Sequence, residues 1–437
     1  MALKLENYMK KFTCDCLIIG GGVQGFVLFY LLKQAGVQSL ALVTDKQLGE
    51  GETTHSHGYY NRGFFNSLDA TVESNEWWDK FFKLHGRECG SIDQTYALAN
   101  EVDTQLLLKS WQSRAFTYHE IKEPPSDLVS LGYKLRANEK LFTVAEGHIS
   151  GHGIIKALAK DNYNQLIHGS LRKLICNEFN TAIKKVEIET KEGPIEFTAK
   201  QYFLCTGRNT QALLENLYKD NQLKGVCPHN SVRLIPMLVF KGKTPILTGA
   251  YLPYDITMAS RKSKGEVYTI MSYLKGLEVT RDSVPLDEEL ADDPRLVKRC
   301  ITQLKALYPK LKLESGNFEF SYYTGPKIDY PIDSKEFKTI NDFKKLNDYY
   351  TDNLNFDNFD YIWPGLFSNS YYCARLMIEK YQKQKAQWLV NPSQTAFNAA
   401  ALGLPIQKEV AKEHCLTDKI EWYSWEDFCK KYPLLLT

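Results

Sequence analysis

Long uninterrupted hydrophobic runs are missing from this chain of 437 residues. The nearest approach is Cys16 to Leu32, which holds no charged residue and follows Lys10 and Lys11 in the manner of a signal peptide. Asp15, four glycines and a glutamine break it where an apolar h-region would be continuous, and no small-residue cleavage site follows. Export, anchoring and a transmembrane segment are therefore not expected. An excess of one charge is missing too. The balance of 54 Lys and Arg against 52 Asp and Glu gives a net charge of +2, without the clustered basic residues that nucleic acid or an anionic membrane would require. The ten cysteines form no Cys-x-x-Cys pair and follow no regular spacing, which suits reduced thiols in a cytoplasmic protein. Cys14 and Cys16 fall on one side of a strand, but two thiols are too few for a metal site. No internal repeat is visible at a period of about 20 to 50 residues. With 43% hydrophobic and 24% charged residues the chain is ordinary for a globular protein, long enough for two or three cores.

What is present concentrates in residues 16 to 45. Cys16-Leu17-Ile18-Ile19 reads as a short buried strand, and Gly20-Gly21-Gly22-Val23-Gln24-Gly25 follows as a Gly-x-Gly-x-x-Gly turn. An uncharged helical stretch opens at Val23 and Gln24, and Leu40-Ala41-Leu42-Val43-Thr44-Asp45 reads as a second strand. This is the order of a dinucleotide-binding βαβ unit. Gly20 makes the tight turn, Gly22 lets the backbone approach a pyrophosphate, and Gly25 lets the helix pack closely on the strand. The helix start offers N–H groups and a positive dipole end to the phosphates. Asp45, about 20 residues past the last glycine, is placed to accept from a ribose hydroxyl, with Thr44 the lesser candidate.

Beyond this unit, Lys46 to Gly63 lacks clean periodicity and reads as a long functional loop. Val72, Trp77, Trp78, Phe81, Phe82 and Leu84 suit an amphipathic helix over Leu68 to Cys89. Gly151-His152-Gly153 reads as a turn before a helix from Ile154 to Lys160, so His148 and His152 do not share a helix face as metal ligands. Leu171 to Cys176, Ala182 to Thr190 and Ile195 to Phe197 alternate like strands, and Tyr202-Phe203-Leu204-Cys205 reads as a buried strand running into Thr206-Gly207. Val226 to Tyr273 suggests an antiparallel sheet. Leu296 to Leu307 suits a helix, Ile340 to Tyr361 reads as loop and surface turns, and Trp363-Pro364-Gly365 introduces a helix from about Asn369 to Gln384.

Taken in order, these pieces resemble the D-amino-acid oxidase superfamily of FAD enzymes, which includes glycerol-3-phosphate and L-2-hydroxyglutarate dehydrogenases. The resemblance spans most of residues 13 to 385. It implies FAD as cofactor and an α/β fold: an FAD-binding Rossmann-like domain (1–80, 146–225 and 350–385) interleaved with an α+β substrate domain built on an antiparallel sheet (81–145 and 226–349), with 386–437 as a C-terminal extension. The family's loop after the second strand reads close to His-Asn-Ser-Gly-x-x-His-x-Gly, and Thr53-Thr54-His55-Ser56-His57-Gly58-Tyr59-Tyr60-Asn61-Arg62-Gly63 is similar to it without a gap. Thr206-Gly207 falls on the family's second pyrophosphate-side turn, and Gly365-Leu366-Phe367-Ser368 on the late loop near the flavin's pyrimidine end. Two departures stand out: the loop's second histidine is Asn61, and the late loop lacks Gly-His-Gly.

The resemblance further implies a flavin that takes a hydride from a C–H bond next to a hydroxyl or amine of a small, often carboxylate-bearing substrate. A carboxylate is best held by a guanidinium, so Arg62, Arg233 and Lys327 are candidate substrate anchors, and Tyr254 and Tyr273 would serve a neutral or cationic amine. His55 and His57 admit a covalent histidyl bond to the flavin or simple hydrogen bonding, and hydrogen bonding is the expectation. An NAD-dependent dehydrogenase and a flavin-binding protein without activity are the rival readings. The electron acceptor, whether oxygen, a quinone or a protein, is not written in the sequence.

Overall fold

The computed structural model describes residues 9–63, 68–113, 116–225, 227–228, 231–242, 248–263, 265–273, 277–278, 294–329, 349–388, 395–417 and 419–435. Contacts cluster the chain into two units. The first comprises Met1–Thr53, Ile155–Asn230 and Tyr349–Ala411; the second comprises Thr54–Ile154, Ser231–Asp348 and Lys412–Thr437. Residues 54–80 and 146–154 thus cluster with the second unit, and 386–437 is divided between the two.

The first unit is built on a mixed sheet of eight strands. Lys10–Ile19 lies at its centre, parallel to Gly193–Leu204 on one side and to Leu40–Thr44 on the other. Phe359–Trp363 and Leu166–His168 extend it in parallel, and a ribbon of Ser170–Cys176 and Ile183–Thr190 pairs antiparallel beside it. Cys16 to Ile19 and Leu40 to Val43 are buried throughout, as strands covered on both faces must be. The helix Val23–Gln34 is buried on nearly every side and packs against Ser370–Trp388, which explains why its sequence carries no charge before Lys33.

Two differences from the sequence reading appear in this unit. Ile195–Phe197 and Tyr202–Leu204 belong to one continuous strand, Gly193–Leu204, whose exposed Thr198 and Lys200 disguise the join. Lys200 Nζ meets Asp15 Oδ1 at 2.7 Å. The segment assigned to surface turns contains the strands Tyr350–Asp352 and Phe359–Trp363, the latter wholly buried. Between them 353–358 forms turns as expected, and 340–348 lies outside the described residues.

The second unit carries a ten-stranded sheet, antiparallel except where Gly249–Tyr251 runs parallel to Gly90–Asn100. Its long members are Ser231–Gly242, Phe318–Asp329, Gly90–Asn100 and Glu139–Ile149. Alternation divides their side chains between two faces. Leu98, Leu141, Leu238, Phe240, Met258, Met271 and Phe320 join the core that includes Leu296, Val297 and Leu304 of the helix Pro294–Leu307 and Phe428 of the helix Trp425–Lys431. The opposite face presents Ala97, Phe142, Val144 and Ala259 in one cluster, and Ile235, Met237, Val239, Ile270 and Tyr323 in another.

The expected turn at Gly151-His152-Gly153 is instead the first turn of the helix Gly151–Ala159. Ser150 Oγ accepts from Gly153 N at 3.0 Å, and a methyl group on Gly153 would lie 1.9 Å from the Glu88 carbonyl oxygen. Glycine is there for close backbone approach, not for a turn.

Candidate functional site

In the first unit the glycine-rich turn joins the central strand to the buried helix. Gly20 has φ +118°, and a methyl group on it would sit 2.3 Å from the Cys205 carbonyl oxygen. At Gly25 it would sit 2.0 Å from the Gly20 oxygen, so this glycine lets the helix close on the turn. At Gly22 it would meet only the Thr53 hydroxyl, at 3.2 Å, which leaves the backbone there bare. Thr53 Oγ1 accepts from Val23 N at 2.9 Å, and the helix has no acidic residue in its first turn. An anion brought to this end meets N–H groups and no opposing carboxylate from the helix. Gln24 is buried, with neither amide atom hydrogen-bonded within the protein. Asp45 is exposed at the end of its strand, while Thr44 is buried under Gly21.

Thr206-Gly207 and Gly365 to Ser368 stand at the ends of strands of the same sheet. Gly207 has φ +55° and faces Glu52, whose carboxylate lies 3.7 Å from Arg208 Nε. Gly365 has φ +66°, and a 3-10 turn over Phe367–Asn369 leads into the helix Ser370–Trp388, which also lacks an acid in its first turn.

The loop that follows the strand Leu40–Thr44 has more regular structure than its composition suggests. It contains the short helix Glu52–His55 and the strand Tyr59–Tyr60. In the second unit His55, Ser56 and His57 are partly exposed, and Gly58 has φ +77° with a methyl group there only 2.9 Å from the Ile149 carbonyl oxygen. His57 Nδ1 accepts from Tyr59 N at 3.0 Å, so its ring proton sits on Nε2. Burial, then the charge of Lys327, push the His57 pKa down to about 4, and the imidazole is neutral. The His55 ring stacks on His414, centroids 4.1 Å apart at 24°, and Tyr323 meets His414 edge-on at 4.7 Å. Burial, then His55, lower His414 to about 4 as well. The Tyr323 hydroxyl is buried without a hydrogen-bond partner.

Sequence reasoning missed several residues around this loop. Glu146 is fully buried and accepts from Arg62 N at 3.2 Å, Gly63 N at 3.1 Å and the Tyr59 hydroxyl. Burial, then Glu146, raise the Tyr59 pKa, which keeps the proton it donates. Alternation was the available signal, since Phe142, Val144 and Glu146 share a face with the buried core. Arg261 reaches Cys415 Sγ through Nη2 at 2.7 Å and lies 3.7 Å from Glu413 Oε1. Nothing local in the sequence joins Arg261 to residues more than 150 positions away.

The three predicted cations part company. Arg62 is committed to Asp79 at 2.6 Å and to the Ala145 carbonyl at 2.9 Å. Lys327 stands opposite Arg233 in the register of Ser231–Gly242 with Phe318–Asp329. The Arg233 side chain lies outside the described residues. Tyr254 and Tyr273 belong to the core beneath the helix Pro294–Leu307 and not to the loop's face. His148 lies in a strand, where Ser91 Oγ and Asp93 Oδ2 both approach its Nδ1, at 3.0 and 3.5 Å. Among the described residues no group of His, Cys, Asp and Glu could hold a metal ion, and no helix is long and apolar enough to cross a membrane.

The family profile described as FAD dependent oxidoreductase matches residues 15–327. No curated protein sequence matches the chain significantly. Among solved structures it is similar to an FAD dependent oxidoreductase from Pseudomonas aeruginosa, with 16% identity, TM-score 0.62, and 92% of this chain and 98% of that one covered. It is also similar to glycine oxidase from Bacillus cereus (14% identity, TM-score 0.58, 85% and 95% covered). A third is dithionite-reduced L-alpha-glycerophosphate oxidase from Mycoplasma pneumoniae with FAD bound (14% identity, TM-score 0.62, 84% and 94% covered).

Proposed function

The chain belongs to the FAD dependent oxidoreductase family, and on that premise we propose that it oxidises a small anion-bearing molecule at a carbon carrying an amine or a hydroxyl. The family sets aside the NAD-dependent and non-enzymatic alternatives. FAD, when bound, supplies the hydride chemistry; the chain supplies holding, charge and exclusion of water. Gly20, Gly22, Val23, Gln24 and Gly25 would hold the pyrophosphate on the helix start, and Asp45 the ribose. Thr53, Thr54, His55, Ser56, His57 and Gly58, with Thr206, Gly207 and the stretch Gly365, Leu366, Phe367 and Ser368, would complete the cofactor contacts. The bare backbone at Gly22 and the acid-free helix starts support that assignment.

The substrate assignment rests on one observation: the strand Phe318–Asp329, whose Gly325 backs the His55 carbonyl, carries Lys327 and brings its positive charge to His57 in the loop after Leu40–Thr44. A neutral imidazole beside an ammonium suits an anionic group better than a cationic one, because the ammonium attracts the one and repels the other. Glycine and a glycerophosphate, which two of the similar structures are named for, are small molecules of this kind. Lys327 and Arg233 are the proposed anchors, and Arg62 holds the loop. Lys327→Met should lower kcat/KM by roughly thirtyfold or more with flavin content unchanged, since a bound anion loses its partner. Lys327→Met and Arg233→Met both staying within about twofold of wild type, on a substrate found by flavin bleaching, would place the substrate elsewhere. For location we propose the cytoplasm, supported by ten cysteines that are all free thiols.

A further inference from the structure

We propose that His414 is a positioning residue for the flavin loop: the C-terminal segment delivers its ring onto His55 and fixes that side chain before the cofactor arrives. The proposal rests on the reading that the loop Thr53 to Gly58 contacts FAD. Its ground is the way the segment is anchored. Glu413 is buried, accepts from Ser150 Oγ at 2.9 Å and from His152 N at 3.1 Å, and lies 3.7 Å from the Arg261 guanidinium. Cys415, also buried, accepts from Arg261 and packs with Ile235, Met237 and Tyr323 on the sheet face. Residues on both sides of His414 are thus tied to Arg261, and the His414 ring between them stacks on His55.

That ring lies nearly parallel to His55, with Tyr323 against its edge. A methyl group on Gly325 would lie 3.3 Å from the His55 carbonyl oxygen, so the loop backbone is held from the same strand that carries Tyr323. The profile that identifies the family ends at residue 327, so this support comes from a part of the chain outside the match. A side chain already ordered in its bound orientation does not lose that freedom when the ligand binds, and an aromatic contact of this kind is comparable in size to the ordering it saves.

The test is FAD binding to apoprotein, followed by flavin fluorescence, together with the visible circular dichroism of the bound flavin. His414→Ala should weaken binding about threefold to tenfold and alter the dichroism. His414→Phe, which keeps a ring face, should restore both to near wild type. His55→Ala combined with His414→Ala should bind no more weakly than His55→Ala alone, because the second ring acts only through the first. Binding lost in His55→Ala but unchanged in His414→Ala overturns the positioning role and leaves the loop assignment standing. Binding unchanged in both overturns the loop assignment itself. A loss in His414→Ala that His414→Phe does not restore would also sink the proposal, by showing that an imidazole nitrogen and not the stack is what matters.

Discussion

Replacing Glu146 tests whether a buried carboxylate, and not the sequence of the loop itself, sets the path of Tyr59 to Gly63. Its side chain is fully buried and receives Arg62 N, Gly63 N and the Tyr59 hydroxyl. Glu146→Ala removes the acceptor from three donors that water cannot reach freely. Each orphaned donor costs about 1–3 kcal/mol, and relief from burying a charge offsets part of the sum, leaving a net loss of about 3–5 kcal/mol. Glu146→Gln keeps an acceptor oxygen and nearly the same volume, so its cost should be about 1–2 kcal/mol. Urea unfolding of the apoprotein gives both figures, with the m-value unchanged if the folded state keeps its compactness. FAD affinity should fall in the same order, since the loop runs directly on from His57 and Gly58. A cost below about 1 kcal/mol for Glu146→Ala, or equal costs for the two variants, would refute this account, because either result means that the three donors find other partners.

How far the sequence revealed this arrangement depended on the range of the interactions. The unit from Cys16 to Asp45 was legible because its main constraints are local: Gly20 is required by its own positive φ, Gly25 by the Gly20 carbonyl oxygen, and the uncharged helix announces burial. The strand Phe359–Trp363 was not, because Asp360 sits within it and reads as a surface residue. In the fold that carboxylate meets Lys380 Nζ at 2.5 Å on the next helix and Gln201 Nε2 at 2.8 Å from a strand far along the chain. Gly153 misled for the opposite reason: a glycine needed for close packing looks like a glycine needed for a turn. Tyr254 and Tyr273 join the core beneath the helix Pro294–Leu307 while Tyr323 joins the opposite face, a division that only the register of the sheet makes visible. His414 and Cys415 had no sequence signal at all, because their significance comes from His55 and Arg261.

Gly20→Ala should leave protein with roughly a tenth of the wild-type flavin or less, because φ +118° and a backbone oxygen 2.3 Å away leave a side chain no room. Flavin released into the supernatant on acid precipitation measures this, and wild-type flavin remaining in the pellet would contradict hydrogen bonding as the role of His55 and His57. The strand that hides Asp360 makes a prediction about pH. Burial raises this carboxyl to about 6 from its ordinary 3.8, and the ammonium of Lys380 beside it only partly opposes the shift. The folded state therefore holds the proton more tightly than the unfolded chain does. The resulting stability is fully present below pH 3.8 and is lost as pH rises through about 6. At about 1.4 kcal/mol per pH unit the loss is about 3 kcal/mol, on the scale of a quarter or more of a typical domain's stability. Asp360→Asn carries no such titration, so wild type should lose up to about 3 kcal/mol relative to the variant between pH 4 and pH 7. Denaturant titrations of both proteins across that range decide the matter. A difference that stays flat, or one that grows in favour of wild type as pH rises, would mean that the pair with Lys380 outweighs the cost of burying the charge.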